Sequence, residues 1–190
     1  MNHTYAITWA LPSDIDGIMT IENAAFSKGI RESAKTFTER LTVFPHGNTV
    51  LLEEADTSHA ARKAAGYFCS ELWDAIPPPE PGFYKLEHSI KDRHSDKGTI
   101  LYISSLALSP EIKGKGRFLF NESLKLICGA NPQICSIVLL VNALWLPARH
   151  IYETEGFQYT GSLSAFFRQT AKNGKPAISD GLLMQKDVSI

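Results

Sequence analysis

A short basic turn carries the residue types that would bind a phosphate group: Lys113-Gly114-Lys115-Gly116-Arg117. It lies between a predicted strand and the start of a predicted helix, where main-chain amides have no helical partner and the helix dipole is positive. The glycines would let the backbone approach a bulky anion, and the lysines and the arginine add positive charge. These features predict a phosphate site, with a solvated basic turn as the alternative.

Two familiar phosphate motifs do not occur in this sequence. No string fits the P-loop pattern GxxxxGK[ST], and the third glycine of the dinucleotide fingerprint would fall at Leu119. We therefore do not expect ATP bound by a P-loop, nor NAD bound on a Rossmann turn.

The elements around the turn follow a strand, helix, strand order. The sequence predicts a long strand over residues 99–108 and a helix over residues 117–129. Residues 134–141 are nearly all apolar, which predicts a strand covered on both faces. This order predicts two parallel strands joined by a right-handed crossover. A short helix should follow, with Pro147 at its first position and Gly156 just past its end.

The rest of the chain is predicted to supply two more helices and five more strands. The helices should begin at Ser13, with Asp16 as its capping partner, and near Ser33. A polar loop should cover residues 54–63. The remaining predicted strands cover residues 5–10, 49–53, 65–73, 157–162 and 181–186.

A long connection precedes the central strand. Residues 75–98 contain Pro77-Pro78-Pro79 and many polar residues, which is typical of a lid, an insertion or disorder. Phe83, Leu86 and Ile90 could form one short helical turn within it. We expect no domain boundary here, so residues 1–190 are predicted to form a single domain.

Composition excludes several classes of function. The chain has 190 residues, 44% hydrophobic and 21% charged, with a formal net charge of -1. These values are typical of a globular protein and argue against a large nucleic-acid-binding face. The three scattered cysteines predict reduced, buried thiols and no metal site. We find neither a signal peptide nor an apolar run of about 20 residues, so we expect a cytoplasmic protein without a membrane partner.

Three stretches carry a resemblance to a known family. Leu106-Ala107-Leu108-Ser109-Pro110 ends the central strand, and the turn continues as Lys113-Gly114-Lys115-Gly116-Arg117-Phe118. Downstream, Ile151-Tyr152-Glu153-Thr154-Glu155-Gly156-Phe157 has the form Tyr-x-x-x-Gly-Phe. In this order and spacing, and over essentially the whole chain, the sequence resembles the GNAT superfamily of N-acetyltransferases.

That resemblance implies an α/β fold with a mixed, mostly antiparallel twisted sheet. A central parallel strand pair would be splayed around the cofactor, with helices on both faces. The implied cofactor is acetyl-CoA. Tyr152 would be the general acid that protonates the departing CoA thiolate. The backbone of Leu106, Ala107 and Leu108 would pair with the pantetheine amides, and the pyrophosphate would be bound by Lys113, Gly114, Lys115, Gly116, Arg117 and Phe118.

The sequence departs from the family pattern at three positions. Lys113 replaces the usual glutamine or arginine, which is a mild change. Phe118 replaces a small residue and could crowd the helix or the phosphate. Trp145 stands where the family often has asparagine, seven residues before the tyrosine. Asn142 is a possible substitute that would bind the cofactor, although capping of a turn is the alternative role.

The general base and the acceptor are less well specified. Glu71 is the base that we predict, with Asp74, His88, His94 and Glu22 as other candidates. Phe26, Trp73 and Asp74 are predicted to bind the acceptor, because aromatic walls and acidic neighbours suit a cationic amine. Solvated charges and core aromatics are the alternative explanations for these residues.

The function that follows is transfer of an acetyl group from acetyl-CoA to a primary amine by direct attack. The amine could belong to a small molecule or to a peptide, and the protein could form a homodimer. Two alternatives stay open. One is a protein N-terminal or longer-chain acyltransferase on the same fold, and the other is a non-catalytic acyl-CoA-binding module.

Overall fold

The computed structural model describes residues 4–54, 62–170 and 174–188. These residues form one seven-stranded sheet in the order β1-β2-β3-β4-β5-β7-β6. The strands are β1 Thr4–Trp9, β2 Asn48–Glu54, β3 Ala64–Trp73, β4 Ile100–Leu108, β5 Ser136–Asn142, β6 Gln158–Thr170 and β7 Pro176–Asp187. The α-helices are α1 Ile15–Ala25, α2 Ala34–Val43, α3 Gly116–Ala130 and α4 Leu146–Thr154, and short 3₁₀ turns cover Pro12–Asp14, Pro45–Gly47 and Ile90–Asp92.

The central strands β4 and β5 run parallel, whereas every other neighbouring pair in the described sheet is antiparallel. Residues 100–103 of β4 pair with residues 136–139 of β5, and the pairing stops there. Beyond that point β4 stays paired with β3, and β5 stays paired with β7. The two strands therefore diverge, which confirms the predicted mixed sheet with a splayed parallel pair.

A β-bulge bends β4 where the strands separate. Cys69 pairs with Ser105 and Ser70 pairs with Ile103, which leaves Ser104 as an extra residue on β4. The Ser104 hydroxyl donates to the carbonyl oxygen of Cys69 at 3.2 Å. Bulges bend a strand and change which face its side chains occupy. This bulge sets the direction of every β4 side chain that follows it.

Helices cover both faces of the sheet. Val50 and Tyr67 pack with the apolar faces of α1 and α2. Their chain neighbours Leu51 and Phe68 pack on the other side, in the core that includes Leu119 of α3. Successive strand residues point to opposite faces, so the two helix pairs lie on opposite sides, as predicted.

Short sequence motifs correctly predict most of the helix ends. The Ser33 hydroxyl accepts from the amide of Thr36 at 3.3 Å and caps α2 as predicted. Gly156 follows α4 with a φ of 89°, which is the left-handed conformation expected there. The predicted cap at Ser13 is wrong, because a 3₁₀ turn precedes α1 and the Asp14 carboxylate accepts from the amide of Leu11 at 2.8 Å.

The long connection between β3 and β4 contains one 3₁₀ turn, Ile90–Asp92, in place of the predicted helical turn from Phe83. A hydrogen bond joins this connection to the sheet, because Nδ1 of His94 accepts from the amide of Leu72 at 3.1 Å. Strands β6 and β7 have 13 and 12 residues, about twice the predicted lengths. Most of the predicted polar loop 54–63, namely residues 55–61, lies outside the described residues.

The three cysteines are free thiols. Cys69 is buried as predicted, whereas Cys135 is exposed, so the prediction of burial is wrong at Cys135. Among the described residues, no helix is both long and apolar enough to cross a membrane.

Candidate active site

A cavity of about 460 Å³ opens where β4 and β5 diverge. Its walls come from the second halves of both strands, from the start of α4, from the end of α1 and from β6. The cavity therefore lies between the diverging strands, where the resemblance places the cofactor. The lining residues include Glu22, Phe26, Glu32, Tyr102, Ser105, Leu106, Ala107, Leu108, Trp145, Tyr152 and Phe167.

One wall of the cavity is an unpaired strand edge. Leu106, Ala107 and Leu108 line the cavity and pair with β3 on their other side. On the side facing β5, this part of β4 has no strand partner within the described sheet. An extended molecule with amide groups can bind such an edge as an added strand does. This is the position predicted for pantetheine.

The glycine turn that follows β4 is open to an anion. Gly114 has a φ of 73°, and no atom lies within 4 Å of the place where a Cβ would stand. The first main-chain bond of α3 joins the Leu119 amide to the Lys115 carbonyl at 2.9 Å. Within the described chain, the main-chain amides of residues 113–118 donate no hydrogen bond. Free amides at a helix N-terminus form a phosphate-binding arrangement.

The aromatic ring at position 118 leaves this turn open. Phe118 is 39% exposed and lies in a surface groove beside Ile7 and Trp9 of β1. The Lys115 ammonium lies 5.9 Å from the centre of that ring. Arg117 is less available to a phosphate than predicted, because its Nε donates to the Glu155 carboxylate at 2.5 Å. The free positive charge of the turn therefore comes mainly from the lysines.

Tyr152 brings a hydroxyl group into the same cavity. Its ring packs against Phe120 at 5.1 Å, and the residue is only 7% exposed. No group in the described part of the chain hydrogen-bonds to its hydroxyl. Burial raises the pKa of Tyr152 above the ordinary tyrosine value, so the hydroxyl stays protonated at neutral pH. It can therefore donate a proton.

Close packing joins the glycine turn to the helix that carries Tyr152. A Cβ added to Gly116 would lie 3.1 Å from Cδ1 of Ile151, the residue before Tyr152. The small residue at position 116 thus lets the start of α3 approach α4 closely. One extended ligand could contact the turn, the edge of β4 and Tyr152 together.

Three aromatic rings cover another side of the cavity. Phe26 lies 5.3 Å from Trp145, and Trp145 lies 5.4 Å from Phe167. They come from the end of α1, the start of α4 and β6 respectively. The connection after α1 is fixed close to β6, because a Cβ on Gly29 would lie 2.3 Å from the Arg168 carbonyl oxygen. Phe26, which is predicted to bind the acceptor, therefore lines the cavity beside Trp145 and Phe167.

Two buried carboxylates lie at the end of the cavity near α1. Glu22 Oε1 accepts from the Glu32 amide at 2.8 Å, and Glu22 Oε2 accepts from the Tyr67 hydroxyl. Burial raises the pKa of Glu22 to about 7, although both hydrogen bonds act to lower it. Glu32 is neutralised by Arg40, whose guanidinium donates to both of its oxygens at 2.5 and 2.6 Å.

Ten predicted site residues do not line the cavity: the six of the glycine turn, residues 113–118, and Glu71, Trp73, Asp74 and Asn142. Glu71 is buried on β3, where its Oε1 accepts from Trp73 Nε1 at 2.8 Å and lies 2.6 Å from His88 Nε2. Trp73 stacks on Tyr102 at 4.1 Å, and Asp74 is exposed. Asn142 caps a turn, since its Oδ1 accepts from the Leu144 amide at 2.9 Å.

Sequence reasoning named Glu22 only as one candidate among several and did not name Glu32, Tyr67 or Tyr102. No local pattern marks these residues, because hydrogen bonds join Glu22 to Tyr67 across 45 residues and Tyr67 to Ser105 across 38. In the sequence, a tyrosine and a glutamate that become buried cannot be distinguished from other strand or helix residues. Only the contacts between neighbouring elements of the folded chain identify them.

Comparison with protein-family models and with curated proteins finds no match. Comparison with solved structures finds many similar folds. The GphF GNAT-like decarboxylase in complex with isobutyryl-CoA has a TM-score of 0.72 at 18% identity, covering 96% of this chain and 98% of that one. The loading GNATL domain of CurA from Lyngbya majuscula also has a TM-score of 0.72, at 14% identity, covering 97% and 98%.

A third similar structure is Arabidopsis thaliana NAA60 in complex with acetyl-CoA, with a TM-score of 0.69 at 20% identity, covering 97% of this chain and 99% of that one. Matches of this extent, over nearly whole chains, show a shared fold. This chain therefore has the GNAT fold.

Proposed function

We propose that this protein is an acyltransferase that moves an acyl group from an acyl-CoA, with acetyl-CoA as the expected donor, to a primary amine. The observation that carries the proposal is a cavity lined by the unpaired edge of β4 and by Tyr152, with the glycine turn packed next to both. A Cβ added to Gly116 of that turn would lie 3.1 Å from Ile151 and 3.9 Å from Leu108. An extended donor with a pyrophosphate, two amides and a thioester matches the order of these three features.

The donor would be held mainly by main-chain groups. The free amides of residues 113–118 would bind the pyrophosphate, with Lys113 and Lys115 adding charge. The open space at Gly114 supports this fit, because a side chain there would occupy the approach to the amides. The edge of residues 106–108 would bind the pantetheine amides. Solved structures of this fold in complex with acetyl-CoA and isobutyryl-CoA support an acyl-CoA donor.

Tyr152 would supply the proton for the leaving group. The donor's thioester offers a carbonyl carbon to the amine and releases a thiolate, which leaves more readily when it is protonated. Tyr152 lies in the cavity and keeps its proton because it is buried. Within the described chain its hydroxyl makes no hydrogen bond, which leaves it available to donate to the sulfur.

The acceptor would enter at the end lined by Phe26, Trp145 and the buried carboxylates. Aromatic walls and a buried carboxylate, Glu22, that ionises near neutral pH suit a cationic amine with an apolar body. Proteins of this fold include one described as a ribosomal-protein-S18-alanine N-acetyltransferase and one bound to a Gag peptide and CoA. We therefore include both small amines and peptide N-termini in the acceptor class.

Binding and turnover are tested separately. Isothermal titration with acetyl-CoA, and with CoA and a longer acyl-CoA for comparison, should show saturable binding at one site. Free-thiol release should then depend on an added amine from a panel of small amines and N-terminal peptides, and mass spectrometry should find the acylated product. Binding without release for any amine would identify a non-catalytic acyl-CoA-binding module, and no binding would contradict the proposal.

A further inference from the structure

We propose that Ser105, Tyr67 and Glu22 form a proton relay that takes a proton from the acceptor amine, with Glu22 as the terminal base. The inference rests on the proposed function, because it assigns the base that this reaction needs. It also gives Tyr67, which does not line the cavity, a positioning role in the reaction.

The three side chains form one chain of hydrogen bonds across the site. The Tyr67 hydroxyl donates to Glu22 Oε2, and it lies 3.0 Å from the Ser105 hydroxyl. A tyrosine has a single hydroxyl proton, so Ser105 must donate to the Tyr67 oxygen. The Ser105 oxygen then keeps lone pairs for a donor in the cavity. Ser105 and Glu22 line the cavity, whereas Tyr67 is fully buried between them.

Position along β4 places the start of this chain beside the donor. Ser105 immediately precedes residues 106–108, the edge proposed to bind pantetheine. The extra residue Ser104 changes the face on which the following β4 side chains lie. Ser105 therefore lies on the same face of the sheet as Tyr67 of the neighbouring strand β3. An amine attacking a thioester bound at this edge would therefore meet the Ser105 oxygen.

The surroundings of Glu22 suit a group that gains and releases a proton near neutral pH. The groups facing it are Tyr67 and Cys69 of β3, Glu32, and Arg40 of α2. Burial disfavours its charge, while two hydrogen bonds favour it, and the resulting pKa is about 7. Arg40 is already paired with Glu32, so it does not hold Glu22 permanently ionised.

The protons balance over one transfer. An ammonium proton passes to Ser105 Oγ, the Ser105 proton passes to the Tyr67 oxygen, and the Tyr67 proton passes to Glu22. The neutral amine forms the new C–N bond as the C–S bond breaks. Of the two protons that the ammonium loses, one ends on Glu22 and the other on the CoA sulfur by way of Tyr152. Glu22 then releases its proton to solvent.

Substitutions test each member of the relay in the intact protein. With one acceptor from the panel, Glu22→Gln should remove the acidic limb of the kcat/KM pH profile and lower turnover about a hundredfold. Tyr67→Phe and Ser105→Ala should each lower turnover at least about tenfold. Ser105→Thr, which keeps the hydroxyl, should restore most of it. Ser70→Ala is the matched control, because it removes a buried hydroxyl that donates to the Gly47 carbonyl instead.

A second measurement needs no turnover. The carboxyl titration of Glu22 can be followed by NMR in the protein without ligands, with Glu22→Gln identifying the signal. Tyr67→Phe removes a hydrogen bond that stabilises the charged form. The midpoint should therefore move to higher pH, and the acidic limb of the pH profile should move with it. Tyr84→Phe, whose hydroxyl donates to Pro77 in the long connection, should leave the midpoint unchanged.

The outcomes separate the relay from the proposed function. Transfer by the wild-type protein, together with wild-type rates and pH profiles in Ser105→Ala and Tyr67→Phe, would overturn the relay alone. An acidic limb lost in Glu71→Gln and kept in Glu22→Gln would also overturn it and assign the base to Glu71. A wild-type protein that binds acetyl-CoA and acylates no amine would overturn the proposed function and the relay together. Unchanged acetyl-CoA affinity in each variant shows that the fold is intact.

Discussion

Arg40 and Glu32 form a two-bond ion pair beneath the acceptor end of the cavity, with N–O distances of 2.5 and 2.6 Å and both side chains nearly inaccessible to solvent. The pair joins α2 to the connection that follows α1, and Glu32 itself lines the cavity. Its amide also binds Glu22. The ion pair therefore positions the carboxylates on which acceptor chemistry would depend.

Breaking this pair should destabilise the protein strongly. Arg40→Met would leave the Glu32 charge buried without a partner, which costs about 3–5 kcal/mol in the free energy of unfolding. Urea unfolding followed by circular dichroism measures the loss. Lys63→Met, which removes an exposed lysine from its pair with Glu53, should have little effect. Equal effects of the two substitutions would contradict a structural role for the buried pair.

The proposed general acid can be tested by removing one oxygen atom. Tyr152→Phe should lower kcat about a hundredfold and leave the affinity for acetyl-CoA unchanged, because the hydroxyl acts on the leaving group and not in binding. Stability should hardly change, since within the described chain the hydroxyl makes no hydrogen bond. Tyr159→Phe, at an exposed tyrosine of β6, is the matched control. Turnover equal to wild type would remove Tyr152 from the mechanism.

The lysines of the glycine turn should govern affinity for the donor. Reversing both charges in Lys113→Glu/Lys115→Glu should weaken acetyl-CoA binding about ten- to a hundredfold, because the pyrophosphate would then meet negative charge. Calorimetric titration measures the change. Lys125→Glu, at an exposed lysine of α3, the helix that follows the turn, should bind acetyl-CoA as the wild type does. Similar losses in both proteins would show a general charge effect and no site at the turn.

The raised pKa of Glu22 predicts how stability changes with pH. The pKa is about 7 in the folded protein against 4.5 for an unperturbed glutamate, so the folded state binds more protons between these values. This contribution to stability is complete below pH 4.5 and is lost as the pH rises through 7. Wild type should therefore lose about 2–3 kcal/mol relative to Glu22→Gln between pH 5 and pH 8.

Urea unfolding of both proteins at several pH values measures this difference. The comparison between the two proteins cancels the contributions of all other titrating groups. A difference that is constant with pH would show that the Glu22 carboxyl titrates alike in the folded and unfolded chains.

The close approach at Gly29 should be sensitive to a single methyl group. Gly29→Ala would bring a Cβ to 2.3 Å from the Arg168 carbonyl oxygen, and main-chain atoms must move apart to relieve the clash. We expect a loss of about 1–3 kcal/mol in stability and a higher KM for the amine, since Phe26 and Phe167 lie on the separated elements. Gly129→Ala, at an exposed helix position with open space, should be neutral or stabilising. Unchanged stability and KM in Gly29→Ala would contradict this packing.

The sequence by itself determined the order of the elements and the glycine turn. These features depend on short-range patterns: apolar strands at residues 99–108 and 134–141, a capping serine at Ser33, and glycines whose spacing leaves amides free at the start of a helix. Tyr152 also follows from a local motif. Short-range patterns act through the backbone of neighbouring residues, and the structures that they favour can therefore be predicted from the sequence.

Only the tertiary structure decided which polar side chains meet in the cavity. A single extra residue, Ser104, shifted the alternation of β4 and turned Ser105 toward Tyr67. The same packing placed Glu22 in the cavity and left Glu71 bonded to Trp73 outside it. These contacts join residues far apart in the chain, and burial is the largest cause of the raised pKa of Glu22. The environment of a carboxylate is fixed by what packs around it, and no local pattern contains that information.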